Sequence, residues 1–178
     1  MDDFVLRIYL LEVETQCDFA LFAADQFMRS LQQLDQDSFW PAVQSFLVAA
    51  ANVSKLLWPG RNRDPKKTQY AEARGRELRQ FLDVTELSPL SSRKLRDHFE
   101  HFDERIDTWA TESHNHAFAD RNIAPRRMIQ GIASEDYMRN FDPETHVVNF
   151  REEEFELLPL LAAIGQIKLR ISSPSLGN

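Results

Sequence analysis

Residues 3–34 contain neither proline nor glycine, and this unbroken stretch constrains the chain first: it reads as one long helix. Ile8, Leu11, Phe19, Phe22, Phe27 and Leu31 spread over a broad face that is expected to be buried. Asp37 or Ser38 can cap the next helix, with Pro41 tolerated in its first turn. There Phe39, Val43, Phe46, Ala50, Val53 and Leu57 recur at steps of three and four, and the alanines at 49–51 let a neighbouring helix come close. Trp58-Pro59-Gly60 stops it.

The segment RNRDPKKT, 61–68, reads as a basic loop, and residues 68–83 as a shorter helix carrying Tyr70, Leu78, Phe81 and Leu82. Ser88 as cap and Pro89 at the first helical position open a fourth helix that runs to about residue 112. Residues 113–140 have weak periodicity and read as irregular, with a short helical turn. HVVNF and FEL, separated by REEE, predict a β-hairpin. Pro159 starts a last helix, and SSPSLGN is a fraying tail. The expected fold is all-α: an antiparallel bundle of four to five helices with a small C-terminal β-hairpin. One domain is expected over 1–178, with the hairpin and last helix as an extension from about residue 141.

Composition bounds the setting. The longest apolar run, FLVAAA, is too short to span a bilayer, so no membrane partner is expected. The acidic start MDDF lacks the basic region of a secretory signal, and the one cysteine, Cys17, has no internal partner. A cytoplasmic address follows as the expectation. Charge is uneven: residues 1–60 hold eight acids and three bases, 61–96 five acids and ten bases, 97–178 fifteen acids and eight bases. A basic middle on an acidic chain attracts phosphate locally, or is simply a solvated loop.

The chemistry concentrates in LRDHFEHFDERID, residues 95–107, which holds two histidines, two arginines and five acids. Leu95, Phe99, Phe102, Ile106 and Trp109 are spaced as one buried stripe. On an ideal helix Arg96, Glu100, Asp103 and Asp107 fall along one flank of that stripe, and Lys94, His98, His101 and Arg105 along the other. Taken singly, these residues have structural explanations: Arg96 pairing with Glu100 or a partner helix, and His98, nearest the stripe, half-buried and satisfied.

Taken together, Arg96-Asp97-His98-Phe99-Glu100-His101 resembles the motif of HEPN domains: arginine, often followed by a polar residue, then histidine after four to six intervening residues. The likeness covers the motif well and the helix order loosely over residues 1–112. It implies an all-α bundle that forms a homodimer and brings two motifs into one cleft. It also implies a metal-independent ribonuclease of toxin or defence type, with no cofactor and with an antitoxin or other protein as partner. Members that have lost activity only bind. On that reading His101 acts as general base or acid, Arg96 stabilises the phosphate, and Asp97 orients one of them. Arg61, Arg63, Lys66, Lys67, Arg93 and Lys94 would hold the RNA backbone. Arg93 with His98 has the same spacing, so two registers stay open.

Two other readings compete. His98 and His101, with His114 and His116, offer a metal site, although neither Glu-x-x-His nor His-Glu-x-x-His occurs. Alternatively the charged ridges serve a protein partner or dimer mate without catalysis, as an interaction or nucleotide- and RNA-binding module.

Overall fold

The structure, a computed structural model, describes residues 1–97, 102–114, 116–151 and 153–173, with the side chains of Asp97, Phe102 and Ser134 outside the description. The chain is mostly helical, with a small four-stranded sheet towards its C-terminus.

The proline-free stretch forms α1, Asp3–Gln33, whose cap residue Asp2 accepts from the Phe4 amide at 2.7 Å. Leu34 ends it in the left-handed region, φ 57°, and Asp35 immediately caps α2, Gln36–Leu57, by accepting from the Ser38 amide at 3.1 Å. The cap is thus Asp35 rather than Asp37 or Ser38, which moves Pro41 into the second turn. So short a link makes the two helices antiparallel neighbours. Phe27 meets Phe39 and Phe46 edge-on near the link, with centroids 6.3 and 5.6 Å apart. Towards the other end Asn52 donates to Gln16 at 3.1 Å.

All six residues expected to be buried on α2 are buried. On α1 the expectation fails for four of six: Phe27 is buried and Leu31 half-buried, but Ile8, Leu11, Phe19 and Phe22 are exposed. The buried seam is Leu10, Val13, Cys17, Ala20, Ala24 and Phe27 instead. The helix is apolar on two sides. Cys17, Ala20, Ala23 and Ala24 opposite the alanines of α2 allow closer approach than bulky side chains would, so the small side packs inward.

Helix α3, Pro65–Phe81, begins three residues earlier than its pattern suggested, because Asp64 accepts from the Lys66 amide at 2.9 Å and Pro65 takes the first helical position. Leu78 and Leu82 are buried, whereas Tyr70 and Phe81 are exposed. Gly75 lets α3 press on the end of α2: a Cβ there would stand 2.5 Å from the Leu57 carbonyl oxygen and 2.8 Å from Pro59 Cδ. Ser88 and Pro89 open only a 3₁₀ turn, Pro89–Ser91, before α4, Arg93–Asp97. Helix α5 follows at Phe102–Glu112, and whether the two are continuous lies outside the described residues.

The hairpin is present as β3, Val147–Phe150, and β4, Glu153–Glu156, in antiparallel register Val148↔Phe155. Two strands were not foreseen: β1, Asn122–Ile123, and β2, Arg139–Asp142. They complete the order β1-β2-β3-β4, with β1 parallel to β2 and β2 antiparallel to β3. The sheet turns Phe141 and Phe150 onto α2, where Phe141 lies 4.9 Å from Phe39 and Phe150 6.5 Å from Trp40. Helix α6, Leu157–Ser172, starts two residues before Pro159 and lies along α1. Lys168 joins Glu14 and Asp18, both at 2.8 Å. These two carboxylates hold the ammonium above its ordinary pKa, Asp18 first. No helix among the described residues is long and apolar enough to cross a membrane.

Candidate functional site

Arg96 is the one proposed catalytic residue whose side chain the structure describes. It stands near the end of α4, one residue after the buried Leu95, and is itself half-buried. Its Nη1 donates to the Ser91 carbonyl at 3.0 Å and to Ser54 Oγ at 3.3 Å. Ser54 is wholly buried on α2, and its hydroxyl donates in turn to the Leu90 carbonyl. A buried serine therefore links α2, the 3₁₀ turn and the guanidinium, and fixes the bearing of Arg96. Arg96 is thus held on α2, whereas its expected pairing with Glu100 lies outside the described residues. Asp97 closes α4; His98 and His101, and with them the choice between the two registers, lie outside the described residues.

The six expected RNA contacts are exposed and occupy two elements. Arg61 and Arg63 lie in the loop before α3 and Lys66 and Lys67 in its first turn, whereas Arg93 and Lys94 stand in the first turn of α4.

Further along the charged stretch, Asp103 and Asp107 are exposed as a flank should be, whereas two residues depart from the ideal wheel. Arg105, expected on the basic ridge, pairs with Glu153 of β4 at 2.8 Å, and its carbonyl accepts from Arg151 at 2.9 Å. Ile106, expected on the buried stripe, is 41% exposed. Trp109 is half-buried, and its indole donates to the Ala117 carbonyl at 2.9 Å and to Asp136 at 3.2 Å. The sheet and the segment before it recruit this helix edge, which a helical wheel cannot foresee. His114 and His116 are exposed, with His116 edge-on to Trp109 at 6.2 Å. Among the described residues no group of three or more histidine, cysteine, aspartate or glutamate side chains could hold a metal ion.

Two surface features escaped the sequence reading. One is a groove of about 770 Å³ between α1 and α2, walled by Phe19, Phe22 and Val48 and floored by Ala23, Ala42 and Ala49. Its signal was present, since the apolar residues of α1 populate two sides of the wheel. The other is a polar cleft of about 710 Å³ where α2 meets the start of the sheet, lined by Trp40, Gln44, Asp120, Arg121 and Arg139. Arg139 is bidentate to Asp120 there, with Nε at 2.7 Å. No single-sequence signal joins residues so far apart in the chain. The chain matches no protein-family model, no curated protein and no solved structure.

Proposed function

We propose that this is a cytoplasmic HEPN-like helical bundle that works as a homodimer and cleaves RNA without metal, through Arg96 and His101. The observation that carries the reading is the Arg96–His101 spacing on a segment whose arginine is held in place by Ser54 and Ser91. A cation with a fixed bearing stabilises phosphate charge without reorganising during reaction. In the proposed step His101 takes the proton from a ribose 2′-OH, and the 2′ oxygen attacks phosphorus. The 5′ oxygen leaves as it takes a proton from water, which His101 replaces by releasing the one it accepted, so the products carry a 2′,3′-cyclic phosphate and a 5′-OH. The basic groups of the α3 loop and α4 would supply backbone affinity.

A non-catalytic interaction module is the second reading, favoured by the apolar groove between α1 and α2. RNA incubated in EDTA with the full chain, beside His101→Ala, separates the two. Cyclic-phosphate ends from the parent chain alone are expected. Cleavage that needs metal removes these residues from the proposed role, cleavage that His101→Ala retains points to the Arg93–His98 register, and a parent chain that does not cleave leaves the interaction reading.

A further inference from the structure

We infer that Tyr70, among the exposed cations at the start of α3, is a stacking platform for an unpaired base, so that the polymer these cations hold is single-stranded nucleic acid. Tyr70 is 52% exposed. An exposed tyrosine alone says nothing, but the setting of this one does. Its hydroxyl is held towards Tyr9 of α1, whose hydrogen bond keeps the Tyr70 pKa above its ordinary value. Tyr9 is half-buried in turn, with the Arg74 guanidinium 5.0 Å from its ring centroid, and Arg74 donates to the Lys55 carbonyl at 3.3 Å. The tip of Tyr70 is thus held through α1, while half of the residue is open to solvent.

Charge says what the platform faces. Lys66 and Lys67 precede Tyr70 by four and three residues, so both stand beside it on one side of the helix, and Arg61 and Arg63 lie in the loop just before. All four cations are exposed, and among the described residues none of them enters an ion pair. The acids of α3 and its cap are turned elsewhere. Asp64 accepts from the Lys66 amide at 2.9 Å, Glu77 pairs with the Met1 amine at 3.0 Å, and Glu72 lies about 160° round the helix from Tyr70.

A planar ring held at its tip, with unpaired cations within one helical turn, matches a polymer that carries a flat face and an anion in every unit. A base laid on the ring leaves its phosphate in reach of the two lysines. A duplex does not fit the platform, because its base faces are covered by their neighbours and it would meet the cations alone. The inference rests on the proposed function for RNA as the polymer, and deepens it by naming unpaired RNA as the substrate class. The platform itself is read from α1 and α3, apart from Arg96 and His101.

Fluorescence anisotropy on the full chain tests it, with a short labelled 2′-O-methyl RNA strand, which lacks the attacking hydroxyl, and the same strand annealed to its complement. The single strand is expected to bind more tightly than the duplex. Tyr70→Leu should weaken single-strand binding roughly 10-fold and leave its salt slope unchanged, since the ring carries no charge. Tyr70→Phe keeps the ring and should recover most of the affinity, with circular dichroism to confirm helicity in both. A parent chain that does not bind the strand, a duplex bound as tightly, or equal losses in Tyr70→Leu and Tyr70→Phe overturns the inference. So does unchanged binding in Tyr70→Leu, which leaves cleavage by Arg96 and His101 standing without the platform. Binding that depends on the Tyr70 ring, in a parent chain that cuts no RNA, supports the platform and defeats the proposed cleavage instead.

Discussion

Arg96 and Ser54 are bound across two helices: the guanidinium reaches the wholly buried hydroxyl at 3.3 Å while holding the Ser91 carbonyl at 3.0 Å. The cation of the proposed catalysis is therefore also an architectural one. Arg96→Ala is expected to abolish RNA cleavage and also to cost about 1 kcal/mol of stability, typical for losing such bonds at a half-buried site. Ser54→Ala, which strips a buried bond from the Leu90 carbonyl, should cost about 1–2 kcal/mol. Arg96→Lys should restore little activity, because an ammonium cannot reproduce the planar fork. Urea midpoints measured beside cleavage rates check this. An unmoved midpoint in both alanine variants would show that the anchor carries nothing.

The two registers make opposite predictions for two histidines. With Arg96–His101 as the pair, His101→Ala loses cleavage and keeps its melting temperature. His98→Ala keeps cleavage and loses about 1 kcal/mol, as ordinary substitutions do. The reverse pattern assigns the chemistry to Arg93 and His98.

Four exposed cations, Arg61, Arg63, Lys66 and Lys67, cluster around the start of α3. If each neutralises one phosphate, replacing all four by alanine should flatten the log–log salt dependence of single-stranded RNA binding by about 3. An unchanged slope would identify the cluster as solvated surface.

Gly75→Ala should destabilise the fold by about 1–3 kcal/mol, since the new methyl group meets the Leu57 carbonyl and Pro59, which are backbone and ring and cannot swing away. Gly60→Ala is the control, because nothing lies within 4 Å of a Cβ there. Thermal melts of the pair should differ in that order. Equal melting temperatures would mean that α3 docks less closely on the end of α2.

Burial pushes the Cys17 thiol up from 9.0 to about 12, with Asp18 adding to the rise. The thiol is therefore neutral and shielded at pH 7, and alkylation in the native state should be slow and become fast in urea. For linkage, the folded chain retains this proton above pH 9 where the unfolded chain loses it, so this contribution to stability is complete below pH 9. It declines as pH rises towards about 12. Cys17→Ala should remove that alkaline decline; rapid native-state labelling would contradict the burial.

What the sequence determined is mainly local. Absence of proline and glycine makes α1 one helix, Trp58-Pro59-Gly60 ends α2, and the alternation around 146–157 yields the hairpin. Each follows from backbone allowance and from periodicity within a few residues. The side on which α1 is buried was not decided there, because two of its sides are apolar and the helices packed against it, α2 and α6, select between them. The same limit applies to the candidate site. The Arg96–His101 spacing is visible in the chain, yet that Arg96 rests on Ser54, forty-two residues earlier, follows from packing α4 on α2. Strands β1 and β2 carry too little pattern to form alone, and they exist because β3 offers β2 an edge to pair with and α2 covers Phe141 and Phe150. Tertiary packing decides wherever several faces or partners are locally equivalent, since the burial energy that ranks them comes from residues distant in the chain.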